Sequence, residues 1–312
     1  MNAARNLLPW FRLFRLPNLL TVPGDPVAGF LLAAGTGLTR NHLLPLLAAA
    51  GASLGLYVFG LILNDLLDVA TDARERPDRP LPAGEITVPQ ARMAAIAAAL
   101  SGLNLAATAG RAALLIAAAL AGLIVLYNAV LKRIPVVGVL TMGLCRGLSL
   151  MVGAVTACPG LWTQPDVSRL PVLLAAAGLS LYVAAFSVLA LREAEPDAVR
   201  HPSVRWLPLI TLSFTLPTLF AMMAAQGRIG SGIGPAFGVF LMTLALLQAW
   251  LTGGPLHSVL PVPELVGRHI CNLLRVQACF CAATGIGGIL PAVCLTALSF
   301  AFVPLAKRFY SS

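Results

Sequence analysis

Charge is what this sequence has least of. Of its 312 residues, 11% are Asp, Glu, Lys or Arg, against about 25% in an ordinary soluble domain. That shortage excludes a water-soluble globular protein. It also excludes a disordered chain, which combines low hydrophobicity with high charge. Acids are the scarcer sign, 12 against 21 Lys and Arg, and there are four His. The six cysteines (Cys145, Cys158, Cys271, Cys279, Cys281, Cys294) form no CxxC pair and the His are scattered, so neither a zinc site nor a disulfide framework is indicated. They read as small buried hydrophobes. Strand-like alternation is missing as well.

What is present is apolar: 58% of the residues are hydrophobic, in long Ala- and Leu-rich runs. Only helices and closed barrels satisfy the backbone in lipid. The expected fold is therefore all-α, a polytopic membrane helical bundle of about nine or ten transmembrane helices, forming a single domain over 1–312. At about 20 residues per crossing, the spans read 18–36, 43–64, 89–110, 112–131, 136–157, 170–191, 204–225, 233–251, 265–284 and 286–306. The ninth is the most polar, with Arg268, His269, Asn272, Arg275 and Gln277 inside it. Residues 1–17 mix Arg5, Arg12 and Arg15 with Trp10, Phe11 and Phe14, an interfacial amphipathic segment. The apolar run that follows its basic residues continues into a span, which does not fit a secretory signal peptide.

A net charge of +9 on such a chain speaks for topology and for anionic lipid or an anionic substrate, not for nucleic acid. With ten crossings, only Arg40, Arg111, Arg169 and Arg228 fall on one side and Arg146 lies within a span. That leaves sixteen of the 21 basic residues on the other side, which the positive-inside rule makes cytoplasmic. Nine of the twelve acids lie in two connections on that same face: Asp65, Asp68, Asp72, Glu75, Asp78 and Glu85 after span two, and Glu193, Glu195 and Asp197 after span six.

The first cluster carries chemistry. Asn64, Asp65, Asp68 and Asp72 leave span two on a continuing helix, where they fit one arc of about 100°. Carboxylates crowded on one helix face repel and persist where a cation neutralises them. Mg2+ typically takes one or two carboxylates together with substrate phosphates. Arg74, Arg76 and Arg79 follow in a proline-stiffened loop, and guanidinium forks suit phosphate oxygens. The pattern reads as a metal–diphosphate site. Lys132 and Arg133 sit at a helix end on the same face; topology alone accounts for them, and their charge also suits a diphosphate. Arg146, inside a span, calls for a substrate or a carboxylate partner, because an intramembrane arginine faces the bundle interior or a wet cavity. Asn18 and Asp25 either point into that cavity from span one or, for Asp25, solvate at the membrane face.

NDLLDVATD followed by RPDRPLPAGEIT resembles the first aspartate-rich motif of the UbiA family of intramembrane prenyltransferases. RLPNLLTVPGDPVAG, LYNAVLKRIPVVG and TMGLCRGLSLMVGA are similar to the family's spans one, four and five, the last most closely to the EboC-like branch. The resemblance implies an Mg2+-dependent transferase. It would move an isoprenyl group from a prenyl diphosphate to a lipophilic or aromatic acceptor and release pyrophosphate. Asp65, Asp68 and Asp72 would be metal ligands. Asn64, Arg74, Arg76, Arg79, Lys132 and Arg133 would hold the diphosphate. Arg146, Lys132 and Tyr127 would act at the reacting centre, Tyr127 beside an allylic cation unless it is an interfacial belt residue. A second metal would fall to Glu193 and Asp197, but Leu191-Arg192-Glu193-Ala194-Glu195-Pro196-Asp197 departs from the family's Asp-x-x-x-Asp, and Pro196 interrupts the helix between the two acids. That weakened motif keeps open a carrier that binds prenyl diphosphate without cleaving it. The expected location is a plasma or inner membrane, with the site facing the cytoplasm.

The charge asymmetry predicts that single cysteines placed at positions 78 and 195 will react with impermeant thiol reagents in inverted vesicles and stay silent in intact cells. Strong labelling from outside the cell would overturn the topology.

Overall fold

A computed structural model describes residues 2–35, 39–161, 166–191, 202–229, 233–254 and 261–310. These residues form twelve α-helices: α1 (Asn2–Leu13), α2 (Leu16–Leu19), α3 (Gly24–Ala34), α4 (Leu43–Glu75), α5 (Val88–Ala109), α6 (Arg111–Ala129), α7 (Pro135–Ala157), α8 (Leu170–Leu191), α9 (Pro202–Ala225), α10 (Ile233–Gly253), α11 (Val262–Ala282) and α12 (Ile286–Tyr310). Eight of them, α4 to α10 and α12, are long and apolar enough to cross a membrane. The protein is an all-α polytopic membrane bundle. Side chains such as Phe214, Leu290 and Phe300, each about two-thirds exposed or more, face lipid.

Local chemistry sets the boundaries. The Thr87 hydroxyl accepts a hydrogen bond from the Gln90 backbone N–H while the Gln90 side-chain oxygen accepts from Thr87 N, a capping box that starts α5. Gly110, at φ 133°, lets the chain turn directly from α5 into α6. Pro135 opens α7, where a missing N–H costs nothing. The first apolar run, read as one crossing over 18–36, is instead split into α2 and α3. Pro23, which lacks an N–H, lies at that break, and α3 has only 11 residues. α4 runs past the apolar region to Glu75, so the aspartate motif is helical as its spacing predicts.

α11 has the length of a crossing but too much polarity to count as one by composition. The reason is its place in the bundle. Asn272 and Gln277 have no exposed surface and His269 almost none; they meet protein partners instead of lipid. Asn272 Nδ2 donates to Tyr182 Oη (3.2 Å) and to the Ala245 carbonyl (3.1 Å), and Tyr182 Oη lies 3.1 Å from His269 Nδ1. A buried polar group is tolerated once it is hydrogen-bonded.

The centre of the bundle is packed through missing side chains. A methyl on Gly153 of α7 would sit 1.8 Å from the Pro26 carbonyl oxygen of α3, and one on Gly29 of α3 would sit 2.0 Å from that of Leu150. A methyl on Gly143 would likewise sit 2.1 Å from the Ser180 carbonyl oxygen of α8. Small residues let helices approach to backbone contact, which supplies the dispersion that lipid-immersed bundles rely on. Outside this core, α1 lies against the loop after α4. The Arg12 guanidinium donates to Glu85 (3.1 Å) and to the Asp78 carbonyl (2.6 Å), and Leu13 packs with Ile62, Leu81 and Ile86.

Gly153→Ala should lower stability by about 1–3 kcal/mol, because backbone stands where the methyl must go. Gly122→Ala, with nothing within 4 Å, should be neutral or slightly stabilising. Thermal unfolding of both variants in detergent checks this; equal melting temperatures would contradict the packing account.

Candidate functional site

One cavity of about 680 Å3 runs between α4, α6, α7 and α8, with Asn18, Thr21 and Val22 from the α2–α3 segment and Val266, Ile270 and Leu273 of α11 on its wall. It reaches the surface where α4 leaves the apolar zone, at the exposed Thr71, Glu75 and Arg76. The α4 face at its mouth presents Asn64, Asp68 and Asp72, one helical turn apart. Arg76 and Arg79 come from the following loop, Lys132 from the short turn after α6, and Arg15 from the junction of α1 and α2. Further in, the wall becomes apolar: Leu120, Ile124, Val139, Met142, Val183 and Phe186.

Each aspartate of the motif is paired with a cation. Lys132 Nζ lies 2.6 and 2.7 Å from the two Asp68 carboxylate oxygens and 3.2 Å from Asn64 Oδ1. Arg79 Nη1 is 2.7 Å from Asp72 Oδ2 and 3.7 Å from Asp65 Oδ1. Arg15 Nη2 reaches Asp65 Oδ1 at 3.4 Å. Arg15 adopts a left-handed backbone conformation at φ 47°, unique among the described non-glycine residues. Such a conformation costs about 1–3 kcal/mol and is retained where the surroundings over-determine it; here the turn aims a guanidinium at the mouth. Asp65 is buried behind the wall and does not line the cavity.

A second ionic layer lies deeper. Arg146 Nε is 3.0 Å from Asp25 Oδ2, and Arg146 Nη2 donates to the Thr21 carbonyl at 2.9 Å. Gln277 Nε2 donates to Asp25 Oδ1 (2.6 Å) and to the same Thr21 carbonyl (2.7 Å). Asp25 and Gln277 are both 0% exposed. A side chain on Gly24 would lie 2.2 Å from Gln277 Oε1, so the glycine makes the room that Gln277 uses. Of the two partners open to Arg146, the structure shows the carboxylate. Asp25 is wholly buried rather than solvated at a membrane face.

The structure thus gathers Asn64, Asp68, Asp72, Arg76, Arg79, half-buried Tyr127, Lys132 and Arg146 around one space. Arg74 and Arg133 are exposed and off its lining. Glu193 and Asp197 lie outside the described residues; Ala190 and Leu191, which end α8, line the cavity. In the sequence, Arg15 reads as part of the interfacial segment and Gln277 as part of the most polar span. The left-handed turn and the buried carboxamide are visible only in three dimensions.

No group of three or more His, Cys, Asp or Glu among the described residues forms a self-sufficient metal cage. Mg2+ does not need one, because it keeps waters and takes phosphate oxygens beside one or two carboxylates. Hard oxygen donors from Asn64 and Asp68 already converge on a cation, the Lys132 ammonium, so the donor set fits.

A helical intramembrane bundle with a carboxylate- and arginine-lined mouth over an apolar chamber defines a membrane protein built for an amphiphilic anion. The chain belongs to the UbiA prenyltransferase family, whose profile matches residues 26–253. It is 29% identical over 228 residues to the digeranylgeranylglyceryl phosphate synthase of Methanoculleus marisnigri, covering 72% of this chain and 76% of that protein. To the synthase of the same name from Methanopyrus kandleri it is 33% identical over 134 residues, 42% of this chain and 48% of that protein. The fold is shared with the apo structure of a UbiA homolog from Aeropyrum pernix K1 (TM-score 0.64, 21% identity, 84% and 96% of the two chains). It is also shared with a UbiA homolog from Archaeoglobus fulgidus bound to GPP and Mg2+ (TM-score 0.55, 17% identity, 86% and 99%).

The buried pair generates a prediction. Asp25→Asn leaves the Arg146 charge uncompensated and should cost about 3–5 kcal/mol. Asp25→Asn combined with Arg146→Met should recover most of that loss. Unfolding midpoints of the two single variants and the double variant test it, and additive losses would dismiss the pairing as a stability element.

Proposed function

We propose that this protein is an Mg2+-dependent prenyltransferase that moves an isoprenyl group from a prenyl diphosphate to a lipophilic acceptor, releasing pyrophosphate. One observation carries the reading: a single cavity joins oxygen donors and four cations at its mouth to an apolar chamber. A prenyl diphosphate has the same division between an anionic head and a hydrocarbon tail.

Asn64, Asp68 and Asp72 would hold Mg2+, which supplies charge stabilisation to the diphosphate and to the departing pyrophosphate. Arg76, Arg79 and Lys132 face the same phosphate oxygens, joined by Arg15. Asp65 positions Arg15 and Arg79 from behind the wall. The chamber residues Leu120, Ile124, Val139 and Phe186 receive the tail and keep water from the allylic carbon as its C–O bond breaks. The Tyr127 ring stands at the chamber's charged end, where an aromatic face favours a developing cation. Arg146, neutralised by Asp25, offers the acceptor an inner end that is polar without net charge. Glu193 and Asp197 are the candidates for a second metal. The likeness to the EboC-like branch rests on residues 141–154 alone, and the similarity to the archaeal synthases does not support that branch. The basic bias of the mouth side makes this the cytoplasmic face.

Purified protein incubated with geranylgeranyl diphosphate, Mg2+ and a lipid extract should release pyrophosphate and yield a prenylated product by mass analysis. Asp68→Asn and Asp72→Asn should each lower the rate about a hundredfold or more, as loss of metal charge stabilisation requires. Glu193→Gln with Asp197→Asn separates a two-metal from a one-metal reaction. Mg2+-dependent binding of the diphosphate with no pyrophosphate release from any acceptor pool would replace the enzyme by a carrier.

A further inference from the structure

At the mouth of the cavity, Asp68 and Asp72 are already engaged by the cations Lys132 and Arg79. Lys132 Nζ meets both Asp68 oxygens and the Asn64 side-chain oxygen within 3.2 Å. An ammonium has three N–H donors and no acceptor, and here three oxygens surround it. Those three oxygens belong to the residues that would hold Mg2+. Arg79, which faces the diphosphate's place, likewise closes Asp72 at 2.7 Å.

We propose that the site loads by exchange of ionic partners: in the empty protein Lys132 sits in the metal's place on Asp68 and Asn64, and metal and diphosphate enter together, the metal taking the carboxylate and the diphosphate taking the released lysine. The inference rests on the metal–diphosphate reading above and adds how the two ligands depend on each other. A divalent cation and an ammonium repel each other, and Lys132 already engages both Asp68 oxygens, so the metal competes with it there. Metal entering alone expels Lys132 into a mouth where Asp72 is already held by Arg79 and only the exposed, solvated Glu75 is left to receive it. Diphosphate entering alone draws Lys132 away and leaves Asp68 bare beside Asp72. When both enter, every freed charge finds an opposite one. The coupling is therefore positive and reciprocal.

The structure gives Lys132 room for this movement. It stands on a three-residue turn, Leu131–Arg133, rather than within α6. A methyl on Gly138, in the first turn of α7, would lie 3.3 Å from Lys132 Cα, so the glycine lets the turn nestle against the helix. The four-carbon stem of lysine can swing its ammonium without moving either helix. Arg76 supplies the contrast: it lines the same mouth and has no carboxylate partner among the described residues.

Mn2+ binding to the full-length protein in detergent, followed by electron paramagnetic resonance with and without inorganic pyrophosphate, tests the exchange. Lys132→Gln should bind Mn2+ alone about tenfold more tightly than the unmodified protein, within the usual 5–150-fold span of coupling between sites. It should also bind pyrophosphate less tightly when Mn2+ is present. Lys132→Arg, which keeps the charge, should leave Mn2+ binding alone weak, and Arg76→Gln should change it far less than Lys132→Gln does. Unchanged or weaker Mn2+ affinity in Lys132→Gln overturns the exchange, as does an equal gain in Arg76→Gln, which would reduce the effect to overall charge. If the unmodified protein binds Mn2+ with pyrophosphate and only these differences fail, the exchange falls and the prenyl diphosphate site stands. Absence of Mn2+ binding to the unmodified protein, with or without pyrophosphate, overturns both.

Discussion

A charge inside a helical bundle immersed in lipid has no water to turn to, and it must be met by protein. That constraint organises this molecule from the mouth of its cavity to the middle of its core. Asp25 and Arg146 sit on different helices, α3 and α7, and each would be prohibitively costly alone. Together, with Gln277 and the Thr21 carbonyl, they join α3, α7 and α11 at one point. The helices that carry them are the ones that pack through Gly29 and Gly153. Close backbone approach and ionic pairing are thus two parts of one junction: the first brings the charges within reach, and the second fixes which faces meet.

The same constraint acts more loosely at the mouth. There the side chains are partly solvated; Asp68 keeps 30% of its surface and Lys132 17%. Ion pairs in that setting hold position while leaving the partners exchangeable, because water and phosphate can compete for them. The deep pair is almost sealed from solvent, and the outer pairs are partly solvated. This gradient suits a site that must keep its shape while an anionic head group enters and leaves.

Between the two ionic layers lies the apolar chamber, and the order of the three zones carries functional weight. The mouth is basic, Leu120, Ile124 and Phe186 make the next zone apolar, and at Arg146 the wall is polar with its charge met by Asp25. α11 links the zones from the side. Val266, Ile270 and Leu273 of one face touch the chamber, while Asn272 and His269 engage Tyr182 on α8. Its polarity, which disqualifies it as a lipid-facing helix, is what ties it to the bundle interior.

The sequence by itself determined the class of fold and the first half of the site. Long apolar runs with so few charges admit only a helical membrane bundle. The Asn64, Asp68 and Asp72 spacing places oxygen donors on one helix face by geometry alone, since residues four apart share a face whatever the surroundings. Tertiary structure decided what lies opposite that face. Nothing in the local sequence shows that Arg15, fifty positions before Asp65, turns through a left-handed residue to reach it. Nor does it show that Asp65, one residue from Asn64, is buried behind Arg15 and Arg79 and off the cavity lining. The partner of Arg146 was legible only as a type, an acid or a substrate; choosing Asp25 required the close approach of α3 and α7. The split of the first apolar run at Pro23 and the burial of α11 have the same origin. Periodicity reports which side of a helix is apolar, whereas contacts between residues far apart in the chain depend on how the helices cross, and that is set by the packing of the whole bundle.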